Sequence, residues 1–177
     1  MNNFNLECDG SGGIVLIEKD IVSTLSKELA AILNVVIDVN GQTELVFDYP
    51  GQEWRDVWSN ELRNLNDSVK SGLMFVGLLD DGEYKVELEL VNEPSTKECL
   101  GLVKVEKSPL LVVEAGELIQ KVLYPQLELE IAYEYGLDKG NYRVYCTLQE
   151  EETIKLELLK DENYEAESNV VELSGRL

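Results

Sequence analysis

Apolar and charged residues alternate one for one across Tyr84-Lys85-Val86-Glu87-Leu88-Glu89-Leu90, and this period of two constrains the chain more than any other feature. Successive side chains of a strand point to opposite faces, so the pattern predicts a strand with one buried and one solvated face. The same alternation runs through Leu127, Leu129, Ile131 and Tyr133, through Tyr142, Val144, Cys146 and Leu148, and through Ile154, Leu156 and Leu158. Asn40-Gly41 falls between two apolar runs and predicts a hairpin, because both positions of a tight hairpin turn favour positive φ. Asp81-Gly82 and Lys139-Gly140 predict equivalent turns. Val170, Val171 and Leu173 predict a short closing strand.

Two stretches carry helical spacing instead. One runs from Ser23 to Leu33; the other places Trp54, Val57, Trp58, Leu62 and Leu65 on one face after Pro50-Gly51. The chain also contains an internal repeat. Gly13–Lys19 resembles Gly101–Lys107, and Gly77–Val86 resembles Gly136–Val144, in the same order. Asn92-Glu93-Pro94-Ser95-Thr96 is polar and carries a strand-breaking proline, so it marks the boundary. The expected architecture is mainly β (α+β): a sandwich-like body from two related β-units, 1–92 and 93–177, packed together, with one or two helices in the first.

The formal net charge of −20 is the least ordinary property of the composition, and the excess acid is spread over both units. Such a chain repels nucleic acid and anionic membrane surfaces and attracts cationic partners. Solubility alone is the competing explanation of the acidity. No apolar run approaches the ~20 residues that span a bilayer. The N-terminus shows no secretory signal. Three widely spaced cysteines, Cys8, Cys99 and Cys146, without any C-x-x-C, fit a reduced, cytoplasmic protein with free thiols.

The absence of histidine removes Ser-His-Asp and Cys-His arrangements and every histidine-based metal site. The glycines of Gly10-Ser11-Gly12-Gly13 precede a strand rather than join a strand to a helix, so they make no phosphate cradle. Asp80-Asp81-Gly82-Glu83 is too short for a calcium loop. Neither an enzymatic activity, a cofactor nor a metal is expected. The sequence points instead to glutamate ladders: Glu87 with Glu89 on one strand face, and Glu128, Glu130 and Glu134 on another. Glutamate is a poor strand former and like charges on one face repel, so a basic partner would relieve the strain. Solvated faces that block edge-to-edge aggregation are the structural alternative. Trp54 and Trp58 are either an interface anchor or the packing of a helix on the sheet.

The segment Leu137-Asp138-Lys139-Gly140-Asn141-Tyr142-Arg143-Val144 resembles the proline/lysine-Gly-x-Tyr-x-Val hairpin of small bacterial β-sandwich proteins, among them the competence-J type nuclease inhibitors and several toxin-immunity families. The resemblance spans about a dozen residues per copy, and no binding residue carries over on it. It implies an acidic inhibitor that plugs a basic nuclease toxin. The leading functional expectation is therefore a toxin-neutralising immunity protein or nuclease inhibitor. Alternatives are an assembly module that self-associates through sheet edges, and a hydrolase working with carboxylates alone.

Overall fold

The long alternating runs gather in one sheet and the continuous apolar runs before residue 80 and at 110–114 in the other. A computed structural model of the chain describes residues 2–8, 13–22, 72, 74–80, 82–107, 109–123, 128–129, 132–149, 152–163 and 170–173. The alternating strands β1 (Asn2–Cys8), β4 (Gly82–Leu90), β8 (Gly140–Gln149) and β9 (Thr153–Lys160) join β5 (Gly101–Val105) in one sheet, ordered β1-β4-β9-β8-β5. The continuous apolar runs β2 (Gly13–Glu18), β3 (Met74–Leu78) and β6 (Leu110–Glu114) join β7 (Ala132–Tyr135) and β10 (Val170–Glu172) in the other, ordered β10-β3-β2-β6-β7. β2, β3 and β6 are buried at every position, which requires cover on both faces. The first sheet covers one face. On the other, helix α1 (Ala115–Leu123) packs against β2 and β6. The core between the sheets holds Leu6, Ile14, Leu16, Phe75, Val86, Tyr142, Val144 and Leu156.

The fold is thus a sandwich-like α+β body, as the alternation implies. The helix that the structure shows in full lies in the second unit, where none was expected. Glu114 ends β6 and accepts the N–H of Glu117 at 2.9 Å, so the strand's last side chain caps the helix that follows. Glu117 in the first turn and Lys121 in the last suit the helix dipole. Residues 19–22 are likewise helical directly after β2. The expected helices over 23–33 and 54–65 and the hairpin at Asn40-Gly41 lie outside the described residues.

The repeat is real in topology, with one of its two sequence marks corrected. β1 pairs antiparallel with β4 as β5 pairs with β8, and β2 pairs antiparallel with β3 as β6 pairs with β7. Gly77–Val86 and Gly136–Val144 are equivalent: Tyr84 donates its hydroxyl to Asp80 O at 3.0 Å, and Tyr142 donates to Asp138 O at 2.6 Å. Gly13–Lys19 and Gly101–Lys107 are not equivalent, because β2 and β5 lie in different sheets. The partner of β2 in the repeat is β6, and both end in a buried glutamate, Glu18 and Glu114, that opens a helix. The Asp-x-Gly segments are also not hairpin turns. Each carries the chain from one sheet to the other, from β3 to β4 and from β7 to β8, and the tyrosine hydroxyl ties the crossing to the strand that follows. Tyr142 is 1% exposed. Tyr142→Phe is therefore expected to cost about 1 kcal/mol in urea denaturation, the worth of one buried hydrogen bond.

The two units interlock rather than sit side by side. β2 joins β6 directly at the centre of one sheet, while in the other β9 is wedged between β4 and β8, parallel to the first and antiparallel to the second. Across the interior, β5 of the second unit packs against β2 and β3 of the first, and β1 of the first packs against β6 of the second. Glu18, 1% exposed, accepts the N–H groups of Glu106, at 2.9 Å, and Lys107 in the opposite unit. The three cysteines are free thiols, Cys8 buried and Cys99 and Cys146 partly so.

Candidate functional site

Cross-strand register decides which acids stand together. On the outer face of the first sheet, Glu87 of β4 lies opposite Lys155 of β9, and Glu89 lies opposite Glu157. Lys155 reaches Glu89 at 2.5 Å and Glu157 at 2.7 Å, while Lys85 reaches Glu87 at 2.8 Å. The link from β4 to β5 passes Ser95, whose N–H and Oγ donate to Glu157 at 2.6 and 2.8 Å. Burial pushes the Glu157 carboxyl up, but Lys155 and the two Ser95 donors outweigh it and hold it below the ordinary value. The same contacts, Glu157 first and Glu89 next, raise Lys155 to about 12.

This corrects the first glutamate ladder. Glu87 is 9% exposed rather than solvent-facing, and Glu89 is half-buried. Two lysines turn their charges on three glutamates, so the face is a largely compensated lattice and not a bare field. Of the second ladder, Glu128 and Glu134 do not stand on one strand. Glu128 is exposed but lies outside β7, Glu134 is exposed on β7 and pairs with Lys19, and Glu130 lies outside the described residues. Trp54 and Trp58 also lie outside them.

Acidic side chains also collect at the β1–β4 end of the same sheet, a grouping that the sequence pattern alone does not show. Glu7 of β1 stands directly opposite Glu83 of β4, and both are exposed. Asp80 is exposed at the approach to β4. Glu152 follows alongside, since its carbonyl accepts the Lys85 N–H at 3.2 Å, and its φ of 56° turns the chain into β9. The signal for β1 was present in its alternation of Phe4, Leu6 and Cys8 with Asn3, Asn5 and Glu7.

The duplication supplies an internal control for this end. By register, Glu7 and Glu83 of the first unit correspond to Lys104 and Asn141 of the second. In sequence, Asp81 stands where the second copy has Lys139. In the second unit Lys104 and Lys139 both pair with Glu106, and their hydrogen bonds hold that carboxyl down at about 2. One backbone arrangement therefore occurs twice, once charge-balanced and once acidic. The fold does not require the acid.

Chemically, an array of ionised carboxylates without histidine can attract and neutralise cations and accept hydrogen bonds from guanidinium or ammonium groups. Among the described residues, no group of three or more acids and cysteines is arranged to hold a metal ion. No described helix is long and apolar enough to cross a membrane. Comparison of the chain with family models, curated proteins and solved structures finds no match.

Proposed function

We propose that this chain is an acidic binding protein that masks a basic surface of a partner protein, as a cytoplasmic toxin-neutralising immunity protein or nuclease inhibitor does. The observation that supports this reading is the Glu7–Glu83 pair, which meets no basic side chain among the described residues, set against its balanced counterpart in the second unit. Like charges directly opposite on a sheet destabilise it, so their retention at an exposed edge fits selection for something other than folding. A nuclease toxin presents the cationic surface that such an edge complements, and complementary charge speeds encounter more than it deepens affinity. The reading places recognition, not catalysis, at the acidic end.

The test separates stability from binding by their opposite signs. Glu83→Lys creates an attractive pair with Glu7 and is expected to stabilise the fold by about 0.5 kcal/mol. The same substitution should slow association with a basic ribonuclease by about tenfold at low ionic strength, and the difference should shrink at high salt as exposed charges are screened. Stopped-flow association at several salt concentrations measures both effects. Unchanged association kinetics in a stabilised variant would remove this end as the binding surface.

A further inference from the structure

We propose that the free edge of β7 receives an extended, basic segment of the partner as an added strand, running parallel to β7. The repeat locates this place. β3 and β7 are equivalent edge-side strands of the second sheet, and β3 carries β10 on its outer edge in parallel register, Val170 beside Val76 and Glu172 beside Leu78. Leu173 follows with its N–H bonded to Leu78 O at 2.8 Å and its side chain buried over Gly77. Among the described residues β7 pairs with β6 alone. The chain's own last strand thus shows what kind of element the equivalent slot accepts.

The side chains around β7 agree with an occupant. By register Tyr133 occupies the position of Phe75, which is fully buried, yet Tyr133 is 36% exposed. Tyr133 is held rigid: its ring stacks on Phe4 with centroids 4.5 Å apart, and its hydroxyl donates to Asn5 O at 3.1 Å. Tyr135, two residues on, accepts the Leu90 N–H at 3.2 Å, and Leu90 is 53% exposed. Tyr133 and Leu90 are the large hydrophobic side chains exposed among the described residues, and the Tyr135 hydroxyl ties the Leu90 backbone to the same strand as Tyr133. Rigid aromatic anchors beside exposed aliphatic groups are what interface centres are built from. Unpaired strand edges recruit further strands, with main-chain bonds giving affinity and alternate side chains giving specificity.

Charge decides which strand enters. A second copy of this chain also carries −20, so self-pairing at this edge is opposed at long range. A cationic segment is drawn in, because Glu7 and Glu83 lie along β1 and β4 just beyond the Asn5 carbonyl that Tyr133 grips. The inference rests on the basic-partner reading above and gives it a place and a backbone geometry.

The probes are a synthetic hexapeptide of alternating valine and lysine and its counterpart N-methylated at every backbone nitrogen. The two have equal charge, but only the first keeps the N–H donors that strand pairing needs on either of its edges. In an amide-resolved NMR titration at low salt, the unmodified peptide is expected to shift residues 132–135 and slow their hydrogen exchange, while the methylated peptide does neither. Leu90→Ala should weaken the unmodified peptide about fivefold and leave the melting temperature unchanged. If both peptides bind equally and perturb only Glu7 and Glu83, the added strand is wrong while the acidic surface stands. If neither binds, both readings fall. Amides of 132–135 already protected on both sides without peptide would show that the chain fills its own edge, and would overturn the proposal.

Discussion

Replacing Lys155 with alanine is expected to destabilise the protein by about 2 kcal/mol, because it strands two carboxylates beneath the link that Ser95 fastens. Glu157 is 3% exposed and Glu89 half-buried, and both turn to the same ammonium group. Removing one partner of a buried ion pair usually costs about 3–5 kcal/mol; the lower figure reflects the partial exposure of the lysines and the two Ser95 donors that stay with Glu157. The pH dependence has a definite sign. Lys155 is raised from 10.5 to about 12 in the folded chain, so its contribution is complete below 10.5 and lost as pH climbs through about 12. Glu157 is lowered from 4.5, so its contribution is complete above 4.5 and lost as pH falls through the lower folded value. The stability gap between the protein and its Lys155→Ala variant should therefore be widest between these limits and narrow at both ends. Denaturant midpoints across pH measure it. A gap that is constant with pH would mean that the lysine acts through its methylenes alone.

The same lattice shows why part of the site was legible in the sequence and part was not. Alternation in Tyr84–Leu90 and Ile154–Leu158 correctly assigns Val86, Leu88 and Leu156 to the core. It also assigns Glu87 to water, and there it fails. Period-two patterning says which face a side chain takes, not what lies above that face. The cover depends on β9 entering parallel to β4, which brings Lys155 beside Glu87, and on Ser95 folding back onto Glu157. Both are contacts between segments far apart in the chain, and no local pattern encodes them. The Glu7–Glu83 pair was hidden for the same reason, since it exists only once the β1–β4 register is set. The duplication was legible through Asp80, Gly82 and Tyr84 and their counterparts Asp138, Gly140 and Tyr142, because a buried tyrosine hydroxyl needs one particular carbonyl. Its other mark misled, because an apolar run that starts with glycine suits either sheet.

Separating the chain into 1–92 and 93–177 is expected to abolish folding of both pieces, although each is a complete copy of the repeat. A copy supplies one strand pair to each sheet, β1–β4 and β2–β3 in the first unit and β5–β8 and β6–β7 in the second. The strands that face each other across the core come from different copies: β1 against β6, β5 against β2 and β3, and the Phe4–Tyr133 stack at the side. Alone, the first piece would leave Ile14, Leu16 and Phe75 without the opposing layer that buries them. It would also leave the Glu18 carboxylate without the Glu106 and Lys107 amides. The second piece would hold β9 with one of its two partners missing, although β9 is the strand that joins the halves of its sheet. Two-stranded ribbons are at best marginal in water, and the three-stranded β9-β8-β5 sheet of the second piece would lose the β2 and β3 strands that pack on β5, so neither piece can rest on its own pairs. Each piece alone should give an unfolded spectrum with collapsed amide dispersion. Mixed in equal amounts they should form a one-to-one complex with the dispersion of the intact chain, because every lost contact lies between them. Cooperative unfolding of isolated 1–92 would show instead that the copies are self-sufficient domains, and that their interlocking is packing added after each has folded.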